Sequence, residues 1–181
     1  MAIIPITIYG DKILRQKAQH VNSVSDELIA KIADMFDSMR NAHGIGLSAN
    51  QVGFRESVFV LDLKGAEGYE KFKPIALINP QIILHSDDKI VMEEGCLSLP
   101  NLFTEVERSK SIKVRFIDTD ENEREIEADD LLARVILHEY DHLIGKMIPD
   151  RVSEKIKSKL ADELDLIKNR EIEIDYPITK G

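Results

Sequence analysis

The stretch DDLLARVILHEYDHLIG, Asp129 to Gly145, decides how this chain is read. Leu131, Leu132, Val135, Ile136, Leu143 and Ile144 form a broad apolar stripe at helical spacing, and Gly145 is placed to end it. This pattern predicts a deeply buried helix from about Asp129. On it His138 and His142 stand four residues apart, so a rise of about 6 Å and a near-repeat of angle set both imidazoles on one face. Two such rings can share one cation. Glu139 leaves at a different angle, where it misses the cation yet reaches water beside it, the general-base place of H-E-x-x-H sites. A plain amphipathic helix with satisfied histidines and a solvated glutamate reads the same five residues as well, so the third ligand decides.

A catalytic cation takes three protein ligands and keeps one position open. The longer pattern H-E-x-x-H-x-x-G-x-x-H would put a third histidine at 148, where the chain has Ile148. Glu163, further downstream, is another candidate, but its amphipathic setting turns it to solvent. Cys96 is the better one: it is the only cysteine and sits in EEGCLSLP, after a glycine that permits close backbone approach and before Pro100. A lone cysteine is ordinarily a small buried hydrophobe, and as a nucleophile it needs a base with no other duty. As a thiolate it completes a Cys/His/His site.

The rest of the chain sets bounds. Its 181 residues fit one domain with a sizeable core. With 43% hydrophobic and 31% charged residues it is neither a disordered nor a fibrous sequence. Lys and Arg number 24 against 33 Asp and Glu, a net charge of −9, which argues against direct nucleic-acid specificity. No uncharged run exceeds the 14 residues from Asn41 to Phe54, so no membrane helix is expected. The opening MAIIPITIYGDKILRQKA shows neither a signal nor a transit pattern, which makes the cytoplasm the expected location.

A helix is predicted through Leu28, Ile32, Met35, Phe36 and Met39, capped by Ser25 and ended by Gly44. Strands are expected at Val58–Leu63 and at Ile75–Leu84 with a break at Pro80, and a hairpin from Ile112 to Glu127 around DTDEN. A third helix is expected from about Ser153, with Ile156, Leu160, Leu164 and Ile167 on its inner face. The final EIEIDYPITKG reads as an edge strand or a tail. The class is α+β.

Three motifs in order, GIGLSANQ (Gly44–Gln51), EGCLS (Glu94–Ser98) and HEYDH (His138–His142), resemble those of the peptide deformylase family, and YGDKILRQKA resembles its start. The likeness runs from Tyr9 to about Val152. It implies mainly antiparallel sheets packed around a central HExxH helix with a C-terminal helix, in one catalytic domain of residues 1–181. It implies a hydrolase that removes the N-formyl group from formyl-methionine at the start of newly made polypeptides, using metal-activated water and releasing formate. Matched residue by residue, the ligands are Cys96, His138 and His142, the general base is Glu139, and the oxyanion donors are the Gln51 side chain and the Leu97 backbone N–H. The family usually uses Fe(II) and accepts Zn, Ni or Co. Nascent formyl-Met peptides are the implied partner, with at most transient ribosome contact, and a monomer is expected.

Residues on the face of His138 or beside the matched motifs are the candidates for the substrate slot: Leu131, Arg134, Val135, Ile45, Gly46, Met92 and Gly95. Ordinary packing explains them as well. Arg134 is expected to give its aliphatic stem with its charge at the mouth. Glu94 and Asp141 are candidates for orienting the ligands. His20, His43 and His85 lack ligand spacing and are expected at the surface. Two positions depart from the family pattern: Ser48 stands where Ala is usual and Leu137 where Gln is common. A zinc peptidase ligated through Glu163, and a metal-binding protein of this fold without catalysis, remain as alternatives.

Overall fold

The computed structural model describes residues 2–180. Helix α1 (Asp26–Asn41) begins where Ser25 Oγ accepts the Leu28 N–H at 3.2 Å, with Asp26 and Glu27 in its first turn favouring the positive helix end. Its stripe of Leu28, Ile32, Met35 and Met39 is buried.

Five strands form an antiparallel sheet: β1 (Gly46–Ser48), β2 (Val58–Leu61), β3 (Ile75–His85), β6 (Ser111–Ile117) and β7 (Glu123–Asp129), in that spatial order. A separate two-stranded hairpin is made by β4 (Lys89–Cys96) and β5 (Leu99–Ser109). Because side chains alternate along a strand, Val58, Val60, Ala76 and Ile78 face α1 while Phe59, Leu61 and Leu77 face the opposite way. On that second face lies α2 (Asp130–Leu143), whose residues from Ala133 to Leu143 are buried with only Tyr140 interrupting. Full burial of each such aliphatic side chain contributes about 1.5–3 kcal/mol. The HExxH helix is therefore central, as its pattern requires.

The end of α2 is turned by Gly145 at φ 73°, where a Cβ would lie 2.6 Å from the Arg15 carbonyl oxygen. No helix among the described residues is long and apolar enough to cross a membrane.

Three expectations are adjusted. The break at Pro80 is a register shift inside a continuous β3, between Ile78 and Gln81, with Asn79 at φ 50°; the irregularity leaves the proline, which has no N–H, outside the regular ladder. The single C-terminal helix is two, α3 (Glu154–Lys159) and α4 (Ala161–Asn169), joined at Leu160, and Leu160, Leu164 and Ile167 still face the core. The last residues form a strap with one parallel bridge, Ile6 to Ile178. Ile6 N–H donates to the Pro177 carbonyl and Thr179 N–H to the Ile6 carbonyl, both at 2.9 Å. Asp11 fastens the strap by accepting from Thr179 Oγ1 at 2.7 Å and Arg170 Nη2 at 2.8 Å.

Candidate metal centre and active site

The end of β4, the middle of α2 and the turn after β1 meet at one point. His138 Nε2 and His142 Nε2 are 3.3 Å apart, and Cys96 Sγ is 3.2 Å from His142 Nε2. These three are the described residues whose donor atoms cluster closely enough to hold an ion, all within 4.8 Å of one another.

The donor set and its spacing fit a cation. Ligands at about 2.0–2.3 Å from a tetrahedral centre stand roughly 3.3–3.6 Å apart, which the two observed separations nearly match. The His138 tautomer suits the task as well. Glu94 Oε2 lies 3.1 Å from His138 Nδ1, and an ionised carboxylate only accepts, so Nδ1 carries the proton and the Nε2 lone pair faces the cluster. Burial opposes ionisation of Glu94, but His138 and Arg108 outweigh it and hold its carboxyl far below the usual range. Burial likewise opposes charge on His138, while the Cys96 sulfur and Glu94 push its pKa upward. His142, surrounded by burial, His138 and Arg108, is pushed well below its ordinary value.

Behind the cluster runs a buried ionic network. Arg108 donates to Glu94 Oε1 at 2.6 Å, to Glu94 Oε2 at 3.0 Å and to Asp141 Oδ2 at 2.7 Å, and Arg151 also pairs with Asp141. Arg134 donates to Glu94 Oε1, to the Val106 carbonyl and to the Ile90 carbonyl, each at 2.7 Å, so it staples α2 to both strands of the β4–β5 hairpin.

The turn after β1 supplies the remaining groups. Gln51 Oε1 accepts the Ser48 N–H at 2.8 Å, which fixes the amide so that Nε2 points toward Ser98 Oγ at 3.1 Å and Cys96 Sγ at 3.6 Å. Asn50 Nδ2 donates to the His142 carbonyl at 2.6 Å, tying this turn to α2. Ser48 Oγ sits 2.7 Å from Glu139 Oε2. A Cβ on Gly46 would fall 2.5 Å from Glu139 Oε1, so only glycine leaves the carboxylate its place. Burial raises the Glu139 pKa, against the pull of His138 and Ser48.

The family model for Polypeptide deformylase matches residues 3–158. This chain belongs to the polypeptide deformylase family. A peptide deformylase of Chlorobium phaeovibrioides is 42% identical over 179 residues, covering 99% of this chain and 94% of that one. The crystal structure of Arabidopsis thaliana peptide deformylase 1B, bound to an inhibitor, superposes with a TM-score of 0.86 at 35% identity over 93% of this chain and 92% of that one. The Synechococcus elongatus peptide deformylase, in complex with actinonin, gives 0.83 at 36% identity over 97% and 92%.

The deformylase cluster opens onto a cavity of about 440 Å³. Of the residues read from the sequence, Ile45, Gly46, Gln51, Gly95, Cys96, Leu97, Leu131, Arg134, Val135, His138 and Glu139 line it. Met92 is not on its wall. It is half-buried opposite Val106, two residues and about 6.6 Å farther along the strand than Glu94. The Arg134 charge is not at the mouth either: the residue is 3% exposed, and Glu94 and two strand carbonyls accept from its two terminal nitrogens inside. Glu163 is exposed on α4, outside the cluster, and Asp141 is buried. His20 and His85 are exposed as expected, and His43 is exposed at the cavity rim.

Phe103 and Tyr176 also line the cavity and were not signalled by any motif. The Phe103 ring lies across Gly95, its cross-strand partner, where a Cβ would come within 2.5 Å of the ring. Glycine paired with an aromatic in a strand is the one legible cue.

Proposed function

We propose that this chain removes the formyl group from the N-terminal formyl-methionine of newly made polypeptides, as a metal-dependent amidase. The observation that carries the reading is the convergence of Cys96 Sγ with the two Nε2 atoms beside a buried carboxylate, Glu139. When bound there, a divalent cation supplies a Lewis acid that makes water acidic enough to lose a proton near neutral pH. Two neutral imidazoles and one thiolate are borderline-to-soft donors suited to late first-row metals; Fe(II) is the proposed resident ion, with Zn, Ni and Co as substitutes.

The protein's own groups do the rest. Glu139, 3% exposed, takes the proton of the attacking water and returns it to the leaving methionine amine. Gln51 Nε2 and the Leu97 N–H donate to the oxygen on which charge develops as the formyl carbon becomes tetrahedral, and one such donor typically contributes about 2.7–4 kcal/mol. Ile45, Leu131 and Val135 give the cavity an apolar side for the methionine side chain. Gly46, at the edge strand β1, leaves open backbone beside which an extended peptide can lie. The same reading treats residues 1–181 as one catalytic domain, working as a cytoplasmic monomer that meets its substrate during or just after synthesis, with transient ribosome contact at most.

Anaerobic purification followed by metal analysis and a formate-release assay on a formyl-Met peptide tests this. One metal per chain with formate release is the expected result. A metal-loaded protein inert toward formyl-Met peptides would leave only a binding role.

A further inference from the structure

The hairpin turn that carries Leu97 is held from both ends of the chain. Cys96 pairs with Leu99, so Leu97 and Ser98 form the two-residue link between β4 and β5. The Ser98 carbonyl accepts the Tyr9 N–H at 2.9 Å. The Leu97 carbonyl accepts the Tyr176 hydroxyl at 2.8 Å. The segment bearing Tyr9 and the strap bearing Tyr176 are themselves joined at Ile6 and Ile178 and locked by Asp11. The Tyr176 side chain also lines the cavity, and burial pushes its phenol well above the ordinary value, so the hydroxyl stays a donor across the working pH range.

We propose that Tyr176 is a positioning residue for the deformylation reaction: by gripping the Leu97 carbonyl it fixes the turn whose N–H faces the developing oxyanion. This rests on the reading of Leu97 given above. A two-residue hairpin link has two soft dihedrals per residue, and a carbonyl held on the far side of Leu97 restrains the rotation that would swing its N–H away. The restraint matters most when charge builds on the substrate oxygen, so its loss falls on kcat rather than KM. The ring itself forms cavity wall, so removing it adds a loss of binding.

Tyr176→Phe keeps the ring and deletes the hydroxyl; Tyr176→Ala deletes both. Wild-type formate release from a formyl-Met peptide is the reference, and its absence would overturn the functional reading rather than this one. With an active wild type, Tyr176→Phe is expected to lower kcat by about 2- to 12-fold, the range one neutral hydrogen bond spans, with KM changed less than about twofold. Tyr176→Ala is expected to lower kcat at least as far and to raise KM. Amide hydrogen exchange at Leu97 and Ser98 should quicken in Tyr176→Phe while α2 amides keep their protection. Unchanged kcat in Tyr176→Phe, or a rise in KM alone, would overturn the proposal, as would exchange that quickens equally throughout the chain.

Discussion

Ser48 Oγ lies 2.7 Å from Glu139 Oε2 and 2.9 Å from the Glu139 carbonyl oxygen. One hydroxyl has one proton, so it serves either the carboxylate or the backbone at any moment, and only the contact to Oε2 restrains the rotamer of the proposed base. An Ala at this position could not make this contact.

Ser48→Ala therefore removes a donor to the charged carboxylate and lets burial raise the Glu139 pKa further. A higher pKa means the basic form is lost at a higher pH, so the ascending limb of kcat/KM against pH moves up. The rate at neutral pH should fall within about tenfold. A pH–rate profile checks this, and a limb that stays in place contradicts it.

Gly46→Ala puts a methyl 2.5 Å from Glu139 Oε1 and 2.9 Å from Val135 Cγ1. The carboxylate must yield, and a displacement near 1 Å costs roughly 100-fold in rate. Metal content per chain should stay at the wild-type level, because none of the three proposed ligands is touched. Parallel metal analysis and turnover measurements separate the two effects.

Arg108 bridges Glu94 and Asp141 where all three are buried. Arg108→Ala removes the group that links the two carboxylates, while Arg134 and His138 still hold Glu94 and Arg151 still holds Asp141; it should destabilise the fold by about 1.5–3 kcal/mol, read by urea unfolding of the metal-loaded protein. Glu94→Gln weakens the acceptor that fixes the His138 tautomer; metal affinity should drop about 10- to 100-fold against a competing chelator.

How far the sequence foretold this arrangement depends on which residues face inward. The α2 stripe, the Ser25 cap of α1 and the β6–β7 alternation follow ordinary periods, so they were legible. The β4–β5 hairpin was not. Its inward positions include Glu94 and Arg108, and a buried ion pair erases the apolar alternation by which a half-buried strand is recognised. The Cys96, His138 and His142 cluster was legible because local spacing and the lone cysteine single out those three donors. The inward turn of the Arg134 charge, the place of Met92 off the cavity wall and the presence of Tyr176 on it depend on partners such as Glu94, Val106 and Leu97, none of which local periodicity reports.

Asp11 links acidity to the strap. Burial works against its ionised form, but the Thr179 hydroxyl and Arg170 outweigh that and lower its pKa. A depressed carboxyl pKa contributes stability that is present above its ordinary unfolded value, about 3.9, and is lost as pH falls through the folded value. The strap should thus loosen only at strongly acid pH in the wild type, and already at neutral pH in Asp11→Asn. The Thr179 amide resonance, followed by NMR, reports it; an unshifted Thr179 in Asp11→Asn would contradict the tie.

The central claim is that Cys96, His138 and His142 hold the cation while Glu139 moves the proton. Glu139→Gln, purified anaerobically and assayed for both metal content and formate release from a formyl-Met peptide, separates these duties most directly. The account predicts a full complement of metal with turnover reduced at least about 100-fold. Loss of the metal, or turnover that survives the substitution, would contradict it.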